Sequence, residues 1–168
     1  MSHREENPQL LEILELYGRY IFRRTSAFGL EDFIRKVNFA GDTCLEIGTH
    51  YGITAVVLSQ YFKKVISLDI TNEPQKHKIV DDLEIKNIEF ISVRDNEQKA
   101  RVIKILDFDA AYMDGDHEND TESDFELVRR CKNVLFHEYW FIQPQVYNLV
   151  NSLDNVTSDH TWFAHWRG

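Results

Sequence analysis

Cysteine, proline and basic residues are all scarce in this chain. Only two cysteines, Cys44 and Cys131, occur among 168 residues, and they form no CxxC pair. That excludes a disulfide framework or a Cys-rich zinc site as the organising principle and makes a reducing cytoplasm the expected setting. There are three prolines and no stretch rich in Pro, Gly or Ser, so no linker divides the chain. No apolar run approaches the roughly 18 residues that a membrane span needs. The opening Met1-Ser2-His3-Arg4-Glu5-Glu6 lacks the apolar core of a secretion signal. Nineteen Lys and Arg face 28 Asp and Glu, a formal net charge of −9. This balance speaks against nucleic acid or an acidic membrane surface as partner, because both are held by a basic face. What remains is an ordinary globular composition, 43% hydrophobic, at a length close to one domain of roughly 150 residues.

The apolar period changes repeatedly along the chain, and that alternation carries the fold. Residues 8–23 hold a helical stripe of Leu10, Leu11, Ile13, Leu14, Tyr17 and Ile21. Gly29 interrupts it, and Leu30–Val37 reads as a second short helix. From there strand-like runs at 43–47, 65–70, 88–92, 110–113 and 133–136 alternate with helical ones at 52–62, 74–84, 96–106, 120–131 and 144–153. Residues 161–166 read as a last strand. Such alternation predicts an α/β fold, a Rossmann-like, doubly wound, mostly parallel sheet with helices on both faces. Residues 1–40 are expected to form an N-terminal helical segment packed on or capping the domain formed by residues 41–168.

In a doubly wound sheet, ligands bind beyond the carboxyl ends of the strands. The first strand ends in Glu46-Ile47-Gly48-Thr49-His50-Tyr51-Gly52, a turn whose glycines let backbone approach a ligand. It is not the dinucleotide fingerprint GxGxxG, because His50 stands at the middle glycine. His50 either contacts a cofactor or packs, and the sequence leaves both open. Asp69 follows Gly48 by 21 residues, the spacing at which an acid on the adjacent strand accepts hydrogen bonds from a ribose. The fourth and fifth strands, if neighbours about 4.8 Å apart, gather Asp114, Asp116, His117, His137 and Glu138 in one pocket. A crowd of carboxylates needs a cation or a proton to compensate it, and a hard divalent ion would suit. His117 could act as a general base near neutral pH. Seven acids fall within 114–126, leaving 21 against 19 basic residues elsewhere, so most of the net charge is local to this segment.

Taken together, Glu46-Ile47-Gly48-Thr49-His50-Tyr51-Gly52, Asp69, Asp114-Gly115-Asp116-His117, Asp124-Phe125-Glu126-Leu127 and Phe136-His137-Glu138 resemble class I S-adenosylmethionine (SAM)-dependent methyltransferases. The DGDH segment is similar to the branch that includes cephalosporin-hydroxylase-like and sugar O-methyltransferases. The resemblance spans roughly residues 40–140. It implies that Gly48, Thr49 and Gly52 approach the methionine part of the cofactor, with Glu46 ordering the loop. It implies Asp69 on the ribose and Asp95 at the adenine edge. In metal-dependent members, acids matching Asp114 and a pair matching His137 and Glu138 bind Mg²⁺, and some members use a His matching His117 as base.

The chain departs from the pattern in three places. Lys132-Asn133 stand where Pro-Gly-Gly is usual before strand five, and His137-Glu138 replace His-Asp after it. The short tail is expected to omit part of the customary sixth-and-seventh-strand hairpin, or to be compensated by the N-terminal helices. Tyr139-Trp140-Phe141, Trp162 and Trp166 read mainly as core, with Trp140 the best candidate for a pocket wall. The expected activity is O-methylation of a small hydroxylated metabolite or sugar. The alternatives are a catalytically inactive SAM- or nucleotide-binding module, or a nicotinamide enzyme disfavoured by His50. Oligomeric state is left open.

Overall fold

The computed structural model describes residues 24–116 and 118–168. The helix expected over 8–23 and the side chain of His117 lie outside the described residues. Strands β1 (Gly41–Ile47), β2 (Phe62–Asp69), β3 (Ile88–Ser92), β4 (Ala110–Met113), β5 (Val134–His137), β6 (Val156–Ser158) and β7 (Phe163–Trp166) form a single sheet. Its order is β3-β2-β1-β4-β5-β7-β6. The first five strands are parallel, and β7 runs antiparallel to both β5 and β6. The strand order reverses between β1 and β4, and the crevice of an open α/β sheet lies at such a switch.

Among the described residues, six α-helices cover the two faces: α1 (Arg24–Val37), α2 (Ile53–Leu58), α3 (Gln75–Asp82), α4 (Asn96–Ile105), α5 (Thr121–Val128) and α6 (Pro144–Asn151). Alternate strand residues feed separate cores, as the period of two requires. Cys44, Val65, Tyr112, Leu135 and Phe163 meet Leu30, Phe33 and Ile34 of α1 and the apolar sides of α2 and α3. Leu45, Ile66, Met113, Phe136 and Trp166 meet α4, α5 and α6 through Ile103, Phe125, Val128 and Val146. Among the described residues, no helix is long and apolar enough to cross a membrane.

Two expectations are corrected. Helix α1 covers Arg24–Val37 and runs through Gly29 instead of starting at Leu30. A mid-helix glycine costs only about 1 kcal/mol, which burial of Leu30, Phe33 and Ile34 outweighs. The tail keeps its hairpin: β6 and β7 pair antiparallel, with Val156 opposite Trp166 and Ser158 opposite Ala164. Strand β6 escaped the sequence because it is three residues long and largely polar. The turn between them is set by Asp159, whose Oδ1 accepts from the backbone N–H groups of Thr161 (2.9 Å), Trp162 (2.8 Å) and Phe163 (2.9 Å).

The departure before strand five is accommodated too. Lys132 adopts φ +56°, the left-handed conformation that a glycine would take most easily. Asn133 accepts a 2.7 Å hydrogen bond at Oδ1 from Nε2 of His165 on β7, locking the entry of β5 to the hairpin. Burial, and then the nearby charge of Arg167, hold the His165 imidazole down to about 4. The unfolded chain takes up a proton near pH 6.5, where the folded state refuses it, so His165 withdraws stability as pH falls from about 6.5 to 4. His165→Gln keeps a donor for Asn133 and removes that titration. Urea midpoints at pH 7 and pH 5 are expected to differ less in the variant than in the native protein, and equal differences would refute the assignment.

Candidate active site

The cleft lies where β1, β2 and β4 end. It encloses about 240 Å³, and Gly48, His50, Asp69, Ile70, Lys99 and Asp114 are among the residues lining it. Its floor is the backbone junction of β1 with β4. The Asp114 N–H donates to the Ile47 carbonyl (2.8 Å), and the Gly48 N–H donates to that of Leu68 (2.8 Å). Gly48 has φ +83°, and a Cβ there would run into the carbonyl oxygen of Asp114. Both facts demand glycine. Gly52, at φ +82°, faces a second constraint, since its Cβ would come within 2.9 Å of the Lys76 Cβ. His50 holds the left-handed conformation between them, is exposed, and lies over Tyr51 with ring centroids 3.8 Å apart.

Asp69 organises this loop. One carboxylate oxygen accepts from the N–H groups of Thr49 (2.9 Å) and His50 (2.7 Å). The other accepts from the Thr71 N–H (2.7 Å) and hydroxyl (2.9 Å). Burial raises its pKa, but the hydrogen bonds from His50, Thr71 and Thr49 outweigh it and hold the group below the usual carboxylate range. Glu46 sits behind the loop, fully buried, and accepts from the Ser67 hydroxyl at 2.5 Å. Its other oxygen, Oε1, has no hydrogen bond. The Thr49 hydroxyl lies near enough to favour the charged form but outside bonding geometry. Burial pushes the Glu46 carboxyl up to about 8, with the charges of Asp114 and Asp69 adding to the rise against the Ser67 and Thr49 hydroxyls.

At the β4 and β5 ends, Asp114 and His137 come together. His137 Nδ1–H donates to Asp114 Oδ1 at 2.7 Å, and both side chains are buried. The imidazole is sandwiched among aromatic rings, with Phe163 at 5.4 Å, Tyr112 at 6.2 Å and Trp162 at 6.3 Å. Glu138 follows in φ +55° backbone and accepts from Gln143 Nε2 at 3.1 Å. Among the described residues, no three His, Cys, Asp or Glu side chains are grouped to hold a metal ion. Trp140 packs edge-on against Trp162, with centroids 5.7 Å apart, beside His137. Trp166 and Tyr139 are core residues, whereas Phe141 is exposed and not core.

Asp95 does not line the cleft. It caps α4, accepting from the Gln98 N–H at 2.8 Å. Two residues that sequence reasoning passed over do line it, Lys99 and Asp120. Lys99 is buried, donates to Asp124 Oδ2 at 2.9 Å and lies 2.7 Å from Oδ1 as an ion pair outside hydrogen-bond geometry. One signal could have found it: Lys99 lies four residues before the buried Ile103, on the inward face of α4.

Glu46 makes a measurable prediction. Its carboxyl keeps a proton in the folded state up to about pH 8, while the unfolded chain loses it near 4.5. Glu46 therefore withdraws stability as pH rises through that window. Glu46→Gln is expected to flatten the loss of urea midpoint between pH 6 and pH 8, and an unchanged slope would show that another group titrates there.

No protein-family model and no curated protein matches the chain. Solved structures do. An O-methyltransferase from Bacillus cereus in complex with S-adenosylhomocysteine (SAH) superposes with a TM-score of 0.71 at 12% identity, covering 99% of this chain and 93% of that one. The O-methyltransferase TomG from Streptomyces achromogenes, in complex with SAM, gives 0.69 at 12%, covering 98% and 92%. An rRNA methylase from Streptococcus thermophilus gives 0.57 at 15%, covering 82% and 92%. At these identities the likeness is one of fold, and the chain has the Rossmann-like fold that these methyltransferases share.

Proposed function

We propose that the protein is a SAM-dependent methyltransferase acting on a hydroxyl of a small molecule. The observation that carries the reading is the cradle at the switch point: residue 48 has no room for a side chain against the Asp114 carbonyl, so backbone alone faces the cleft. When bound, SAM supplies an electrophilic methyl group on a sulfonium. The chain's residues fit such a ligand. Gly48 and Thr49 present backbone to it, and Asp69, already ionised by its loop contacts, sets a fixed negative charge at the end of β2 where ribose hydroxyls would lie. Four carboxylates and one ammonium line the cleft, a balance that favours a cationic ligand.

Catalysis on this reading needs the acceptor oxygen held in line with the methyl, which alone can lower a barrier by several kcal/mol. The Trp140–Trp162 pair beside His137 offers the acceptor a wall. His117, the residue after Asp116 in sequence, is the proposed base on the hydroxyl, and Asp114 and His137 tie the ends of β4 and β5 together. The Mg²⁺ set of Asp114, His137 and Glu138 is not grouped as a metal site among the described residues. His137 is bonded to Asp114, and Glu138 is bonded to Gln143. No step is therefore routed through a metal. The −9 charge disfavours an RNA acceptor such as a methylase of rRNA would need. The free thiols of Cys44 and Cys131 suit a reducing cytoplasm.

Titration calorimetry with SAM, SAH and NAD tests the reading. SAM and SAH are expected to bind and NAD not to. Failure of both SAM and SAH sinks the proposal. Binding without methylation of any hydroxylated acceptor would favour a cofactor-binding module instead. Asp69→Ala is expected to weaken SAH by about tenfold or more, from loss of charge-assisted hydrogen bonds of about 1.5–3 kcal/mol, whereas Asp114→Asn is expected to spare it.

A further inference from the structure

Each carboxylate of the cleft but one is committed to the protein. Asp69 holds the loop through four hydrogen bonds, and Asp114 holds His137. Asp116 accepts from the N–H groups of Glu118 (2.9 Å) and Asn119 (3.3 Å) and from Asn119 Nδ2 (2.9 Å). Asp120 is the exception. It precedes α5 but makes no capping bond with its side chain. Among the described residues, the contact of its carboxylate is a long 3.5 Å one to Lys99 Nζ. The lysine is similarly part-committed. An ammonium has three protons; one is given to Asp124 Oδ2 at 2.9 Å and one to the stretched 3.5 Å contact with Asp120, while Asp124 Oδ1, 2.7 Å away, lies outside hydrogen-bond geometry.

A buried lysine between two carboxylates is a poor way to join two helices. Desolvation of such ions commonly exceeds the attraction, and apolar residues of similar volume would hold α4 to α5 at least as well. Its position in the cleft suggests another use. A donor and an acceptor side by side, shielded from water, match an adenine edge, where N1 accepts and the N6 amino group donates. Asp95, the acid expected at that edge, is turned away to cap α4.

Resting on the SAM reading above, we propose that Lys99 and Asp120 form the element that recognises the base, Asp120 accepting from the N6 amino group and Lys99 donating its third proton to N1. Asp124 positions the lysine and contacts no ligand. The consequence is selectivity for a 6-amino purine. Replacing the amino group by a carbonyl, as in hypoxanthine, sets an oxygen against the Asp120 carboxylate and a ring N–H against the Lys99 ammonium. Buried mismatches of this kind are strongly rejected.

Calorimetry with SAH and S-inosylhomocysteine distinguishes this from a merely structural ion pair. The native protein is expected to prefer SAH by about tenfold or more, as for a good bidentate contact to a base. Asp120→Asn, which can both donate and accept, is expected to bring the two affinities within about threefold. Asp116→Asn removes the same charge from the same cleft and is expected to keep the native ratio. A native ratio near one, an Asp120→Asn ratio equal to the native one, or equal shifts in both variants overturns this inference while leaving SAM binding intact. Failure of the native protein to bind either ligand overturns the SAM reading and this one together.

Discussion

The contact between the Gly48 backbone and the Asp114 carbonyl is the constraint on which the rest of the site depends. It exists because β1 pairs in parallel with β4 in a register that sets Ile47 opposite Met113. One residue further on, the two chains leave the sheet together, and only a glycine in left-handed conformation fits between them. Everything that follows uses that closeness. The cleft opens above it, Asp69 reaches across from β2 to tie down Thr49 and His50, and Asp114 leans the other way to meet His137 on β5.

Electrostatics at the switch point are handled by pairing and protonation. Asp69 is satisfied by backbone N–H groups and stays charged, while Glu46, buried behind it with one oxygen unbonded, holds a proton instead. Two acids of the same loop region thus take opposite states, because hydrogen bonds compensate burial at one and not at the other. The acidic run after β4 resolves in the same manner. Asp116 folds the loop, Asp124 binds Lys99, and Glu126 makes a surface pair with Arg129. What reads in sequence as one block of charge is, in three dimensions, a set of separate tasks.

The departures from the family pattern carry a similar lesson. Lys132-Asn133 looks like the loss of a glycine turn, yet Lys132 accepts the left-handed conformation and Asn133 gains a partner in His165. The short tail looks truncated, yet Asp159 gathers three backbone N–H groups and turns four residues into a usable bend. That bend delivers Trp162 to the face of His137. Neither compensation could be read locally, because each depends on a partner 30 or so residues away or on a side chain whose rotamer is chosen by its turn.

The sequence by itself determined the alternation of strands and helices, the boundaries of β3 and β4 to the residue, and the glycine turn after β1. These follow from local periodicity and from the unusual backbone freedom of one residue type, both of which are visible in one dimension. It also singled out Asp69 and Asp114 as strand-end acids. Only the tertiary structure decided what those acids touch. It turned Asp95 into a helix cap, set Asp114 against His137, bonded Glu138 to Gln143, and brought Lys99 from α4 beside Asp120 before α5. The reason is that a side chain's partner is fixed by sheet register and helix packing across tens of residues, whereas residue spacing reports only the face from which it starts.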